Sequence, residues 1–143
     1  MSQHGTSLLQ RRLASSTAIL ADVRALVADA ARAAGFSDRD AFRLALAVDE
    51  ACTNIIVHGY DEDDSATFDL DVAMDNEGLT VTLRDVGRPF SGEIPTSIDV
   101  AALMQQRKKG GLGLFLIGQV IDHVAYSTDK AGTNQLRLLK RRP

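Results

Sequence analysis

The chain has 143 residues, 45% of them hydrophobic and 24% charged, with a formal net charge of −3. That length suits one domain with a real core, spanning 1–143, and no apolar run reaches the roughly 18 to 20 residues a membrane span needs. The mildly acidic balance leaves no electrostatic footprint for nucleic acid, and a single cysteine, Cys52, excludes an intramolecular disulfide and a multi-cysteine zinc site.

The opening MSQHGTSLLQRR lacks the basic region, apolar run and small-residue cleavage site of a secretory leader, so a cytoplasmic protein is expected. Residues 7 to 14 fit either a first strand or a short helical lead-in. From Thr17 to Ala34 the positions Leu20, Val23, Val27, Ala30 and Ala34 keep a helical period, and Gly35 closes the segment. A second, longer helix is predicted from Asp38 to Gly59. Ser37 with Asp40 fits a capping box at its start, and Gly59 is placed to leave the helix in a left-handed conformation. Leu44, Val48, Ala51 and Ile55 form its core stripe, with Cys52 beside them as a small buried hydrophobe. Glu50, Asn54 and His58 form a polar stripe, on which the Glu50 carboxylate and Asn54 amide, four residues apart, can converge on one small ligand. A bare Glu-x-x-x-Asn is a weak motif that a solvated polar face explains more often than not, so it needs support from elsewhere in the chain.

The acidic run Tyr60 to Ser65 lacks the alternating spacing of a calcium loop and reads as a solvated turn. Phe68, Leu70, Val72 and Met74, then Leu79, Val81 and Leu83, alternate with polar residues around the turn Asp75 to Gly78, predicting an antiparallel hairpin. Asp85-Val86-Gly87-Arg88-Pro89-Phe90 ends the second strand. Ile98 to Gln106 is expected as a short helix, and Arg107-Lys108-Lys109 then leads to Gly110-Gly111-Leu112-Gly113. That cluster opens a buried helix, Leu114 to Ile121. A last hairpin pairs His123 to Thr128 with Asn134 to Lys140 through Asp129 to Gly132, leaving 140–143 as a basic solvated tail outside an ordered core of about 7–140. Helices on one face of a mainly antiparallel sheet make this an α+β fold.

A glycine cluster at a helix start suits an anion, because unpaired N–H groups and the helix dipole both favour negative charge. A close helix–sheet contact or a mobile loop accounts for the glycines as readily. The Rossmann fingerprint fails, since Leu116 stands where a third glycine is needed and no strand precedes the cluster. The P-loop fails for want of Gly-Lys-Ser/Thr. Three motifs in order are far more specific: DEACTNIIVHGY, then RDVGRPF, then KKGGLGLFLI. Together they resemble the N box and two glycine boxes of the GHKL superfamily of ATP-binding domains, and within it the RsbW and SpoIIAB type of anti-sigma-factor serine kinases. The resemblance runs from the first helix to Lys140.

That resemblance implies a Bergerat-type sandwich, a mixed, mainly antiparallel sheet with helices on one face. It implies ATP as phosphoryl donor and Mg²⁺ held by Asn54, which suits a metal that takes only one or two protein oxygens. Glu50 would be the general base toward an incoming serine. Asp85 would accept the adenine amino group, with Gly87 allowing close approach. Gly111, Leu112, Gly113 and Leu114 would form the lid over the phosphates, with Lys109 or Lys108 as added positive charge, and Thr133 would set a hydroxyl near adenine. His58 reads as a satisfied helix-end residue. Pro89 departs from the pattern, standing where many members carry a second glycine. The implied partners are an anti-anti-sigma STAS-domain protein that is phosphorylated and a sigma factor that is sequestered, with no direct nucleic acid or membrane contact. Homodimerisation follows from the resemblance alone. The alternative is a noncatalytic partner-binding module that responds to nucleotide or has lost it.

Overall fold

The computed structural model describes residues 5–89 and 120–143. The expected helix 98–106, the lysines Lys108 and Lys109, the cluster Gly111 to Leu114 and nearly all of the helix 114–121 lie outside the described residues. The elements are β1 (Thr6–Ala14), α1 (Leu20–Ala33, entered through a 3-10 turn at Thr17–Ile19), α2 (Asp38–Thr53, continued by a π-helical turn at Asn54–Gly59), β2 (Thr67–Met74), β3 (Gly78–Asp85), β4 (His123–Thr128) and β5 (Asn134–Arg141). Among the described residues the strands form one five-stranded sheet in the order β1-β2-β3-β5-β4, with antiparallel pairings. Among the described residues no helix is long and apolar enough to cross a membrane.

Strand register explains why the sheet has one dry and one wet face. One rung runs Leu9, Val72, Val81, Leu138, Val124 across all five strands, and every member is buried. The neighbouring rung, Gln10, Asp71, Thr82, Arg137, Ala125, points the other way, as the period of two requires. Each fully buried aliphatic side chain stabilises the fold by about 1.5–3 kcal/mol. The dry face shares one core with Val23, Val27 and Ala31 of α1 and Leu44, Val48 and Cys52 of α2, so both helices cover the same side.

Residues 7 to 14 are a strand. Thr6–Ala14 adds to the edge of β2, and a bulge between Ser7 and Leu9 lets Leu8 as well as Leu9 pack toward the core. Gly35 closes α1 with φ of 101°, a conformation that glycine adopts without strain. The Ser37 hydroxyl accepts from the Asp40 N–H at 3.1 Å, capping α2 as its sequence predicts. The β2–β3 turn is held by Asp75, whose carboxylate accepts from the N–H groups of Glu77 and Gly78. At the other end of the chain β5 continues through Arg141, and the Arg142 guanidinium donates to the Asp75 carbonyl. Arg141, expected in the tail, thus belongs to the sheet together with Lys140, the expected end of the strand, because Gly78 and Leu79 extend β3 far enough to pair with them.

The second helix ends differently from its expected form. It is α-helical only to Thr53, and the last turn opens to a π geometry in which Tyr60 N–H donates to Ile55 C=O at 2.9 Å. Gly59 is not the left-handed residue. Positive φ falls on Asp61 (51°) and Glu62 (59°), two residues later than expected, because the wider turn carries the chain onward before it reverses. π turns inside helices recur at functional sites.

Candidate functional site

The π turn brings the end of the α2 helix against the turn after β3. Gly59 C=O accepts from Arg88 N–H at 2.8 Å. An ideal Cβ on Gly87 would lie 2.7 Å from Gly59 O, 2.9 Å from Gly59 C and 3.0 Å from the Tyr60 ring. Glycine at 87 is therefore required by an approach of backbone to backbone. The sequence reading gave Gly87 the task of admitting a base, and the described contact is with Gly59.

Tyr60 closes the same junction from the side. Its hydroxyl donates to Thr67 C=O at 2.8 Å and accepts from Val86 N–H at 2.9 Å, tying the end of the π turn to β2 and to the turn after β3. Its burial, with the charges of Asp85 and Asp69, raises the phenol above its ordinary range against the lowering effect of the Val86 bond. Arg88 adds an exposed pair to Asp61 at 2.6 Å.

Asp85 ends β3 on the dry face, buried at 8% exposure. Two N–H groups donate to its Oδ1: Gly87 N at 2.9 Å and Asn134 Nδ2 at 2.9 Å. Oδ2 accepts none among the described residues, so it is the oxygen left for a ligand donor. An exocyclic amino group suits an acceptor of this kind. Glu50 and Asn54 lie half-buried, one turn apart on the same helix, with Asn54 N–H donating to Glu50 C=O. The site of a Cβ on Gly59 is 3.9 Å from Asp85 Oδ1 and 4.0 Å from Asn54 O, so Gly59 stands between Asn54 and Asp85. Two of the three sequence motifs thus meet at one end of the sheet. The Asn54 carboxamide oxygen is a hard donor of the type Mg²⁺ accepts, and Glu50 is a carboxylate one turn away. The residues present fit ATP with Mg²⁺.

Beside Asp85 sits Asn134, 1% exposed, which sequence reasoning passed over in favour of Thr133. Thr133 is half-buried in the β4–β5 turn, where its N–H donates to Asp129 Oδ1. Asn134, one residue on, is paired with Asp85 across the strands. The signal was present in the sequence: along the inward positions of β5 the polar Asn134 stands beside Leu136 and Leu138, with Lys140 at the far end of the strand. His58 is exposed at the helix end. Lys109 and Gly111, Leu112, Gly113 and Leu114 lie outside the described residues.

Behind the site, Arg24 of α1 pairs with Asp49 of α2, and Asp49 also accepts from the Thr53 hydroxyl. These bonds brace the helix next to Glu50. Cys52 is fully buried, and burial followed by the Asp49 charge raises its thiol above the ordinary range. It is a packing residue.

Comparison with known proteins places the chain in a family. The family model described as a histidine kinase-like ATPase domain matches residues 13–140. The serine-protein kinase RsbW of Halalkalibacterium halodurans is 30% identical over 133 residues, covering 90% of this chain and 81% of that protein. RsbW of Bacillus mycoides is 26% identical over 129 residues, covering 87% and 80%. A chain of the SiaB–SiaC complex from Pseudomonas aeruginosa shares the fold with a TM-score of 0.72, over 94% of this chain and 90% of that one, at 18% identity.

Proposed function

The chain belongs to the histidine kinase-like ATPase domain family, alongside RsbW-type members, and on that footing we propose that it transfers the γ-phosphoryl group of ATP to a serine of a protein partner. The observation that carries this reading is the Gly59–Gly87 junction, which joins the end of the helix bearing Glu50 and Asn54 to the turn that follows Asp85. Asp85 Oδ2 would accept from the adenine amino group. Asn54 would hold Mg²⁺ through its side-chain oxygen, one turn from Glu50. Bound together, ATP and Mg²⁺ supply the phosphoryl group and the positive charge that offsets the charge developing on its oxygens.

Glu50 would take the proton of the serine hydroxyl as the serine oxygen bonds to the γ-phosphorus and the bond from that phosphorus to the bridging oxygen of ADP breaks. A base must lie within about 2.6–3.2 Å of the proton's oxygen to act. Lys109 and Gly111 to Leu114 would close over the phosphates. The partner would be a STAS-type anti-anti-sigma protein. Its phosphorylation adds a charge of about −1.5 to −2 at the interface, which disfavours the packed complex and frees the kinase to sequester a sigma factor.

Glu50→Ala tests the assignment directly. Incubated with [γ-³²P]ATP and a STAS partner, the variant is expected to bind ATP as the wild type does and to transfer no phosphate. Transfer at the wild-type rate removes Glu50 from the mechanism. Pro89, in place of a family glycine, supports one competing reading, a partner-binding module that responds to nucleotide without transferring it. Partner binding by the wild type with no phosphoserine formed would select that reading.

A further inference from the structure

We infer that Asn134 is a positioning residue that sets base selectivity by fixing the Asp85 carboxylate. The inference rests on the nucleotide reading above and extends it to a residue that binds no ligand itself. Three side chains form a relay along one rung of β4, β5 and β3. Thr128 Oγ donates to Asn134 Oδ1 at 2.7 Å, and Asn134 Nδ2 donates to Asp85 Oδ1 at 2.9 Å and to Gly87 C=O at 3.0 Å. Thr128 pairs with Asn134, and Asn134 with Asp85, in the strand register.

The relay fixes the orientation of every group in it. Both N–H groups of the Asn134 amide are engaged and its oxygen accepts from a hydroxyl, so it has no donor left for a nucleotide. Turning the amide over would set its oxygen against Asp85 Oδ1 and Gly87 O, three acceptors with no proton between them. Asp85 Oδ1 in turn receives two donors, Asn134 Nδ2 and Gly87 N–H. The carboxylate cannot rotate without losing both, which leaves Oδ2 as the acceptor for a ligand. An acceptor in a fixed direction favours a 6-amino purine and rejects a 6-oxo purine, which offers a second acceptor at the same place. Site-built polar recognition of this kind discriminates strongly, because the wrong partner leaves buried groups unpaired.

The test is calorimetric titration of ATP and inosine triphosphate, which differ at that position, into the wild type, Asn134→Leu, Thr128→Val and Thr128→Ser. Thr128 is exposed, so its variants perturb the relay from the far end without opening the core. The wild type is expected to prefer ATP by at least roughly 10-fold, the scale of one hydrogen bond to a charged group. In Asn134→Leu the preference collapses to within about threefold through loss of ATP affinity alone, Thr128→Val falls between, and Thr128→Ser restores the wild-type ratio. An unchanged ratio in Asn134→Leu, an equal loss of both nucleotides, or no difference between Thr128→Val and Thr128→Ser overturns the inference. Should Asn134→Leu not fold, the Thr128 pair decides alone. Failure of the wild type to bind either nucleotide removes the nucleotide reading itself, and this inference with it.

Discussion

Gly87→Ala should damage the protein through sterics, and the damage can be sized from the contacts. The added methyl would sit 2.7 Å from the Gly59 carbonyl oxygen and 2.9 Å from its carbon. Both are backbone atoms held by the Arg88 N–H bond, so neither can swing aside as a side-chain tip would. Relief requires the turn after β3 to back away from the end of the π turn, which strains the Tyr60–Val86 bond as well. Forcing one methyl into such a space costs about 1–3 kcal/mol, and in a chain of this size each kcal/mol lowers the midpoint by roughly 3 to 4 °C. Gly59→Ala is the control. Its methyl meets Arg88 O at 3.6 Å, Asp85 Oδ1 at 3.9 Å and Asn54 O at 4.0 Å, ordinary contacts, and Gly59 is not among the positive-φ residues. It should be neutral, or stabilising by up to about 1 kcal/mol from helix propensity. Thermal and urea unfolding of both variants would show it. Gly87→Ala within about 0.5 kcal/mol of wild type, a change typical of an unconstrained surface site, would refute the close-approach argument.

Tyr60→Phe removes an acceptor for Val86 N–H and a donor to Thr67 C=O, and it should cost about 0.5–1.5 kcal/mol in urea unfolding because both partners can reach water; no loss would show that the junction stands without the hydroxyl. Cys52 should resist iodoacetamide at pH 8 in the folded protein and react on denaturation, and native-state labelling at the denatured rate would contradict its burial. Its thiol ionises more easily unfolded than folded. The folded state therefore holds the extra proton once pH exceeds the unfolded value, and stability falls as pH climbs above about 9. Cys52→Ala should flatten that alkaline decline, and an identical slope in the variant would assign the decline elsewhere, with Tyr60 next in line because its phenol is shifted the same way.

Much of the fold is legible in local pattern. The alternation of Phe68, Leu70 and Val72, and of Leu79, Val81 and Leu83, names both strands of a hairpin and their inner face. The stripe Leu44, Val48, Ala51 and Ile55 names the buried side of α2, and all four are buried. What stayed hidden depends on contacts between distant residues. Residues 7 to 14 read ambiguously because the bulge between Ser7 and Leu9 breaks the period of two that marks a strand. The end of α2 reads as plain helix because the π turn is accompanied by a bond from Arg88, 29 positions after Gly59, which no local window contains. Thr133 drew notice in place of Asn134 because the family resemblance implies a hydroxyl there, whereas the register that sets Asn134 opposite Asp85 is a property of the assembled sheet. Helical spacing alone sets Glu50 and Asn54 one turn apart, and the two motifs downstream were what gave that pair its meaning.

The central claim is that the α2 end and the Asp85 turn together form a nucleotide site that uses Mg²⁺ through Asn54. Calorimetric titration of ATP and ADP, with and without Mg²⁺, into the wild type and Asn54→Ala tests it most directly. The expected result is micromolar affinity, about −8 kcal/mol, that needs Mg²⁺ for full strength in the wild type and loses that dependence in Asn54→Ala. No binding at millimolar nucleotide would contradict the claim, leaving a family fold whose site serves a partner protein without ATP.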